Sequence, residues 1–351
     1  MSVFEHPEFD GHEHVAYYHD KPTGLKAIIA VHNTNLGPAL GGCRMWPYIS
    51  SQEALTDVLR LSKGMTYKSA MANLKLGGGK SVIIGDPRKH KTDDFMQAMG
   101  RFVESFAGTY YTAEDSGISV DDLRAMAKQS QYIAGVDAQY HYNSEVPDGN
   151  PAPSTAYGVF VGLQASVKYA LNTDLKGIRV AIQGVGHVGY RLAKHLYDSG
   201  AELYVTDIFP DGVNRAVADF GATAVSPEAI YSLDVDVIAP CALGASINDE
   251  TIPQIKAKVI AGAANNQLAR EEMGEVLRQR GILYAPDYVI NAGGVIDIFH
   301  QKMVSSNTAL RKHIEQIGTT LCEIYTRASS ESCATNRVAN AIAEERFQNK
   351  G

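Results

Sequence analysis

Gly184-Val185-Gly186-His187-Val188-Gly189 fits G-x-G-x-x-G, and its surroundings constrain the fold more than the motif alone. An apolar run, Arg179 to Gln183, precedes it and reads as a strand. A helical pattern from about His187 to Asp198 follows, and a second strand, Glu202 to Thr206, ends at Asp207. Strand, turn, helix, strand and acid in this order form the dinucleotide-binding half of a doubly wound sheet. Gly184 permits the tight turn, Gly186 lets a pyrophosphate approach the backbone, and Gly189 allows close helix–strand packing. Val185, His187 and Val188 complete the phosphate-facing loop, and the helix N-terminus offers free N–H groups and a positive dipole. Asp207 is suited to accept hydrogen bonds from the adenosine ribose, and its charge repels a 2′-phosphate, so NAD is expected over NADP. A flavin dinucleotide shares the fingerprint, but flavin motifs commonly lie near the N-terminus and this one lies in mid-chain. A glycine turn that binds nothing is the competing reading; the complete context weighs against it.

Strands and helices alternate around this unit. A helix is predicted from about Ala156 to Leu171, and strands at Val235–Ala239, Val259–Ala261 and Ile282–Tyr284. The alternation predicts a parallel, doubly wound α/β sheet with right-handed crossovers. Ahead of it, Ala27–Val31 and Ser81–Ile84 read as buried strands. Thr92 reads as an N-cap before Phe95, Met96, Met99, Phe102, Val103 and Phe106, and Ser119 with Asp122 as another helix start. Between Tyr142 and Pro153 the chain turns polar and rich in Asn, Gly and Pro, which marks a domain boundary. The division expected is 1–147 and 148–330. The residues from Gln301 on read as helical, and a helix over 331–351 is a candidate to pack back on the first domain.

The bulk numbers set limits. The 351 residues are 45% hydrophobic and 20% charged, enough for two domains with real cores. A formal net charge of -7, with no Lys/Arg run, argues against nucleic-acid or anionic-membrane partners. Cys43, Cys241, Cys322 and Cys333 are scattered, so neither a disulfide framework nor a metal site is expected, and a reducing compartment fits. Met1 to Asp10 is polar, and no stretch approaches the ~18 apolar residues of a membrane span. The expectation is a cytoplasmic protein.

Leu76-Gly77-Gly78-Gly79-Lys80-Ser81 suggests a phosphate loop and fails the test. G-x-x-x-x-G-K-[ST] needs glycine where Leu74 stands, and a strand, not a helix, follows Lys80. The glycines instead form a glycine-rich loop that crowds backbone around a lysine. Lys68 lies upstream, and Asp115 lies in Ala113-Glu114-Asp115. Two lysines and an aspartate suit the oxidation of an amino acid. One ammonium holds the substrate carboxylate. The other lysine, neutralised with help from a neighbouring cation and partial burial, takes a proton from the water that attacks the imine. The carboxylate moves protons at the substrate nitrogen. Surface lysines and a turn-capping aspartate are the bland alternative, since lysine is mostly exposed.

These residues and others in the same order carry a resemblance. Leu36-Gly37-Pro38-Ala39-Leu40-Gly41-Gly42-Cys43-Arg44, Lys63-Gly64-Met65-Thr66-Tyr67-Lys68, Gly77-Gly78-Gly79-Lys80, Ala113-Glu114-Asp115, the nucleotide motif, Gly262-Ala263-Ala264-Asn265-Asn266-Gln267 and Asn291-Ala292-Gly293-Gly294-Val295 run through most of the chain. It resembles the leucine/phenylalanine/valine branch of the glutamate dehydrogenase superfamily. The resemblance implies an N-terminal α/β substrate-binding domain and a Rossmann-type domain separated by a cleft. It implies Lys80 as catalytic base, Asp115 as proton carrier, and Lys68 with the Gly41 and Gly42 backbone as the carboxylate site. Leu40, Met65, Ala113 and Val295 would line the side-chain pocket. Asn265 or Asn266 would touch substrate or nicotinamide, and Thr155 with Cys241-Ala242 would lie along the cofactor. A homo-oligomer, dimer or larger, is implied as well.

In glutamate-specific relatives a lysine stands at the place of Leu40, so an apolar substrate is expected here, with leucine, valine or isoleucine ahead. Phenylalanine-preferring relatives tend to carry glycine at the place of Ala113. His187, Ala134 and Ser154 depart from residues common among leucine enzymes. A phenylalanine or tryptophan dehydrogenase with the same machinery is the main alternative, and a non-catalytic NAD-binding regulator on the same fold the distant one.

Overall fold

The computed structural model describes residues 2–136, 151–242, 244–303 and 305–348. The expected connection from Tyr142 to Asn150, with the 147/148 boundary inside it, lies outside the described residues. The chain divides into two compact units. One is Met1–Asn150 with Gln301–Val304 and Ala343–Gly351; the other is Pro151–His300 with Ser305–Ile342.

The first unit holds β1 (His14–Asp20), β2 (Leu25–Asn33), β3 (Ala39–Trp46), α1 (Ser51–Met71), β4 (Gly77–Ile84), α2 (Asp93–Glu104), β5 (Tyr110–Ala113) and α3 (Val120–Ala127). Its five-stranded sheet runs β1-β2-β4-β3-β5. β1 and β4 flank β2 antiparallel, whereas β3 is parallel to β4 and β5. Alternation along β2 sends Ile28 and Ala30 to Leu55, Val58 and Leu59 of α1, and Ile29 and Val31 to Met96, Phe102 and Leu123 of α2 and α3. A strand covered on both faces reads as a continuous apolar run, which is why Ala27–Val31 is legible without alternation. Thr92 caps α2 by accepting from the Phe95 N–H, and Ser119 and Asp122 form a capping box on α3.

One expectation needs correcting. Gly77, Gly78 and Gly79 do not form a loop; they are the first residues of β4, so Lys80 stands on a strand. The glycines serve close approach instead. A Cβ on Gly78 would lie 2.0 Å from the Thr66 backbone nitrogen of α1, and one on Gly79 would meet the Tyr110 ring at 2.6 Å.

The second unit holds α4 (Ala152–Leu171), β6 (Arg179–Gln183), α5 (His187–Asp198), β7 (Glu202–Thr206), α6 (Pro210–Phe220), β8 (Thr223–Ala224), β9 (Val237–Pro240), β10 (Val259–Ile260), α7 (Met273–Gln279), β11 (Leu283–Tyr284), α8 (Asp287–Ile290), α9 (Gly293–Lys302), α10 (Asn307–Glu331) and α11 (Thr335–Gln348). The ends of α9 and α11 belong to the first unit. Its six strands run β11-β10-β9-β6-β7-β8, all parallel. The order reverses at β6, which has β7 on one side and β9 on the other. That is the doubly wound arrangement, and ligands bind it outside the carboxyl ends of the strands at the reversal. α4 begins four residues before the predicted start, because Pro153 falls in the first turn, where its missing N–H costs no hydrogen bond.

Candidate active site

In the first unit the register brings several residues to one sheet face. β3 pairs Leu40 with Gly78, and Gly42 pairs with Ala113 of β5. Paired residues of a parallel sheet point to the same side, so Leu40, Gly42, Gly78, Lys80 and Ala113 share the face that Thr66 and α1 cover. Lys80 is only 6% exposed. Its Nζ donates to Asp115 Oδ2, and Arg44 Nε lies 3.3 Å from the same oxygen. The Ser116 N–H donates to Asp115 Oδ1 at 2.7 Å. Burial by itself raises the Asp115 carboxyl pKa, but the charges of Lys80 and Arg44 outweigh it and hold the group well below the usual carboxylate range.

Glycine makes this pairing feasible. A Cβ on Gly42 would lie 2.7 Å from Asp115 Cβ and 3.1 Å from Lys80 Nζ. The β3–β4 ladder also breaks here. It pairs Leu40 with Gly78, then resumes at Cys43 with Ser81, skipping Gly41 and Gly42. Tyr110, fully buried on the opposite face, donates its hydroxyl to the Gly41 carbonyl at 3.0 Å. Lys68 and Met65 are half-buried on α1.

In the second unit the nucleotide turn has the required features. Gly184 has φ +96°, a left-handed conformation that favours glycine. A Cβ on it would meet Ala242 at 2.8 Å, so the Gly184 turn packs on Cys241-Ala242. A Cβ on Gly189 would lie 1.9 Å from the Gly184 carbonyl oxygen, whereas Gly186 faces open space. Gly186 caps α5 without a side chain, which leaves the first N–H groups of this twelve-residue helix, at His187, Val188 and Gly189, for an anion. Asp207 accepts from the Val185 N–H at 2.8 Å and from the Phe209 N–H at 3.0 Å. Thr155 on α4 lies against Gly294 of α9, beside the buried Val295. The donor set and the cradle therefore fit a dinucleotide.

Two residues gain a position that sequence reasoning did not assign. Asn291 Nδ2 donates to the Ala263 carbonyl at 3.0 Å and to Asn265 Oδ1 at 2.8 Å, which fixes the Asn265 amide. Asn266 stands next to it at φ +51°. Arg44 bridges two carboxylates, Asp115 and Asp57. Both lie inside quoted motifs, Gly41-Gly42-Cys43-Arg44 and Asn291-Ala292-Gly293-Gly294. Each has its partner 13 or more positions away, so spacing alone gave no signal.

Residues 12–132 match the family described as Glu/Leu/Phe/Val dehydrogenase, dimerisation domain, and residues 150–207 and 211–346 match Glutamate/Leucine/Phenylalanine/Valine dehydrogenase. The chain is 49% identical over 348 residues to leucine dehydrogenase of Bacillus cereus, covering 99% of this chain and 94% of that one. It is 45% identical to phenylalanine dehydrogenase of Caldalkalibacillus thermarum, covering 100% of this chain and 95% of that one. The crystal structure of L-tryptophan dehydrogenase from Nostoc punctiforme superposes with a TM-score of 0.84 at 44% identity, covering 97% of each chain.

Proposed function

The chain belongs to the Glu/Leu/Phe/Val dehydrogenase family, and on that premise we propose that it oxidises an apolar L-amino acid, leucine, valine or isoleucine first, to the 2-oxo acid and ammonia, reversibly and with NAD. It is an amino-acid dehydrogenase, an oxidoreductase acting on CH–NH2 donors. One observation carries the reading: a buried lysine, paired with a half-buried carboxylate, stands over Gly42, on the sheet face that Leu40 and Ala113 share.

In this reading Lys68 and the Gly41-Gly42 backbone hold the substrate carboxylate. Lys80 takes the proton of the water that attacks the imine carbon, and Asp115 exchanges protons with the substrate nitrogen. Gly184 to Gly189, Asp207, Thr155, Cys241, Ala242 and Asn265 hold NAD, which supplies the two-electron acceptor when bound. Asn265 Oδ1 is engaged by Asn291, so its amide N–H groups are the ones turned to a ligand carbonyl, and Asn266 is left for the substrate. Asp207 disfavours a 2′-phosphate by charge. Leu40 disfavours glutamate, because a buried carboxylate without a cation costs several kcal/mol, of order 10³-fold or more in discrimination.

The resemblance to the tryptophan enzyme over its whole length supports a second reading, preference for an aromatic amino acid. A homo-oligomer follows from the dimerisation description of the first family match. All four cysteines are free thiols, which suits the cytoplasm. The test is kcat/KM for leucine, valine, phenylalanine, tryptophan and glutamate with NAD and with NADP. Glutamate as the best substrate, or equal use of NADP, would sink the pocket or the Asp207 argument respectively.

A further inference from the structure

Arg44 ends the Gly41-Gly42-Cys43-Arg44 run on β3, and its side chain is 26% exposed. It reaches between two carboxylates. Its Nη1 lies 3.0 Å from Asp57 Oδ2 of α1, and its Nε 3.3 Å from Asp115 Oδ2. The Tyr48 hydroxyl donates to the same Asp57 oxygen at 2.6 Å. The far end of the guanidinium is thus anchored by an acid that has its own fixed partner. The near end meets the oxygen that Lys80 also holds.

Asp115 needs such a support. It follows β5 in the segment Glu114-Asp115-Ser116-Gly117, tied by the Ser116 N–H and by the Met45 N–H donating to the Ser116 carbonyl. Gly117 in this turn has φ +81°. A turn carboxylate facing a lysine that gains and loses a proton during turnover requires a partner whose charge does not change. A guanidinium stays protonated at every working pH; here its Nη1 donates to Asp57, while its Nε faces Asp115 Oδ2 as an ion pair that acts through charge without a hydrogen bond. We propose that Arg44, anchored by Asp57 and Tyr48, is a positioning residue for amino-acid oxidation, which fixes the Asp115 carboxylate against Lys80 while Lys80 changes its charge. This rests on the reading of Lys80 and Asp115 as the proton-handling pair.

A double-mutant cycle tests it. Arg44→Met in the wild-type background is expected to lower kcat for deamination about 10–100-fold, whereas in an Asp115→Asn background it lowers the residual kcat less than about threefold, the signature of residues acting through one another. Arg44→Lys, which keeps a cation near Asp115 but not the guanidinium, retains more turnover than Arg44→Met. Binding of NADH, followed by fluorescence, stays close to wild type in all of them. If Arg44→Met does not fold, Asp57→Asn enters the same cycle and is expected to lose less than Arg44→Met while showing the same dependence on Asp115. An equal loss in both backgrounds, or near-normal turnover of the Arg44 or Asp57 variants, overturns the proposal. Lys80→Ala run alongside reports on the reaction reading separately: normal turnover there removes the assignment of the pair, not the coupling of Arg44 to Asp115.

Discussion

Replacing Gly42 by alanine tests the packing of the Lys80–Asp115 pair with one methyl group. The new Cβ would stand 2.7 Å from Asp115 Cβ, 2.8 Å from the Glu114 carbonyl oxygen and 3.1 Å from Lys80 Nζ. Two of these neighbours are a backbone atom and the root of a side chain, so rotating a flexible tip does not relieve them. The Glu114-Asp115 segment has to retreat by about 0.5–1 Å to restore ordinary contact distances. Overpacking of that size costs about 1–3 kcal/mol of stability, which a two-domain chain tolerates. A displacement near 1 Å at reacting groups costs on the order of 10²-fold in rate. Gly42→Ala is therefore expected to fold, to bind NADH normally and to lose about 10²-fold in kcat. Gly78→Ala is the control, since its Cβ would lie 2.0 Å from the Thr66 nitrogen and 2.5 Å from its Cα. There α1 itself must move off the sheet, and the expected loss is in melting temperature and soluble yield. The assay is initial deamination rate with leucine and NAD beside thermal melts of both variants. A Gly42→Ala enzyme with wild-type kcat would refute the argument that Gly42 makes room for the pair.

Lys80→Ala is expected to cut turnover by at least ~10²-fold, the lower range for loss of a general base, with NADH affinity little changed. Ala113→Gly is expected to raise kcat/KM for phenylalanine relative to leucine by about tenfold, the value of one methyl in an apolar pocket; an unchanged ratio would remove Ala113 from the size filter. Burial, reinforced by the neighbouring His12, pushes the His32 imidazole down to about 4. The unfolded chain takes up that proton near pH 6.5, so the native state loses stability as the pH falls from about 6.5 to about 4, by up to about 3 kcal/mol in all. His32→Gln, which can still bond Thr66 Oγ1, is expected to flatten this slope in urea melts, and parallel slopes would refute it.

The nucleotide-binding turn of the second unit was legible because its signals are local, whereas α6, β8, α7, α8 and α9 were not predicted. β6, α5 and β7 have the predicted limits, since a glycine turn and short apolar runs define them within thirty residues. β9 begins two residues after its predicted start, because Asp236 is used otherwise: its carboxylate accepts from the Arg179 N–H at 2.9 Å. The glycines before Lys80 misled for the opposite reason. Three consecutive glycines suggest a loop from local preference, whereas here the crowding of Thr66, Asn33 and Tyr110 around β4 sets the requirement. Arg44 was not legible as a bridge, because its meaning depends on Asp57 lying one helix away and Asp115 two strands away.

Amide hydrogens inside a buried sheet normally exchange with solvent only when the whole unit opens. In the first unit the pairing of β3 with β4 stops at Leu40–Gly78 and resumes at Cys43–Ser81. The amides at this gap lie in the middle of the sheet yet are released from part of its ladder. They keep only their pairing with β5, Gly41 with Thr112 and Gly42 with Ala113, and are expected to label faster than the amides of β2, which is paired on both sides. If Gly41 and Gly42 hold the substrate carboxylate as proposed, a bound amino acid is expected to slow labelling here and to leave that of Ile28 and Ile29 unchanged. On that reading the break in the ladder would serve as a gauge of ligand occupancy, to be read by mass spectrometry in the absence of turnover.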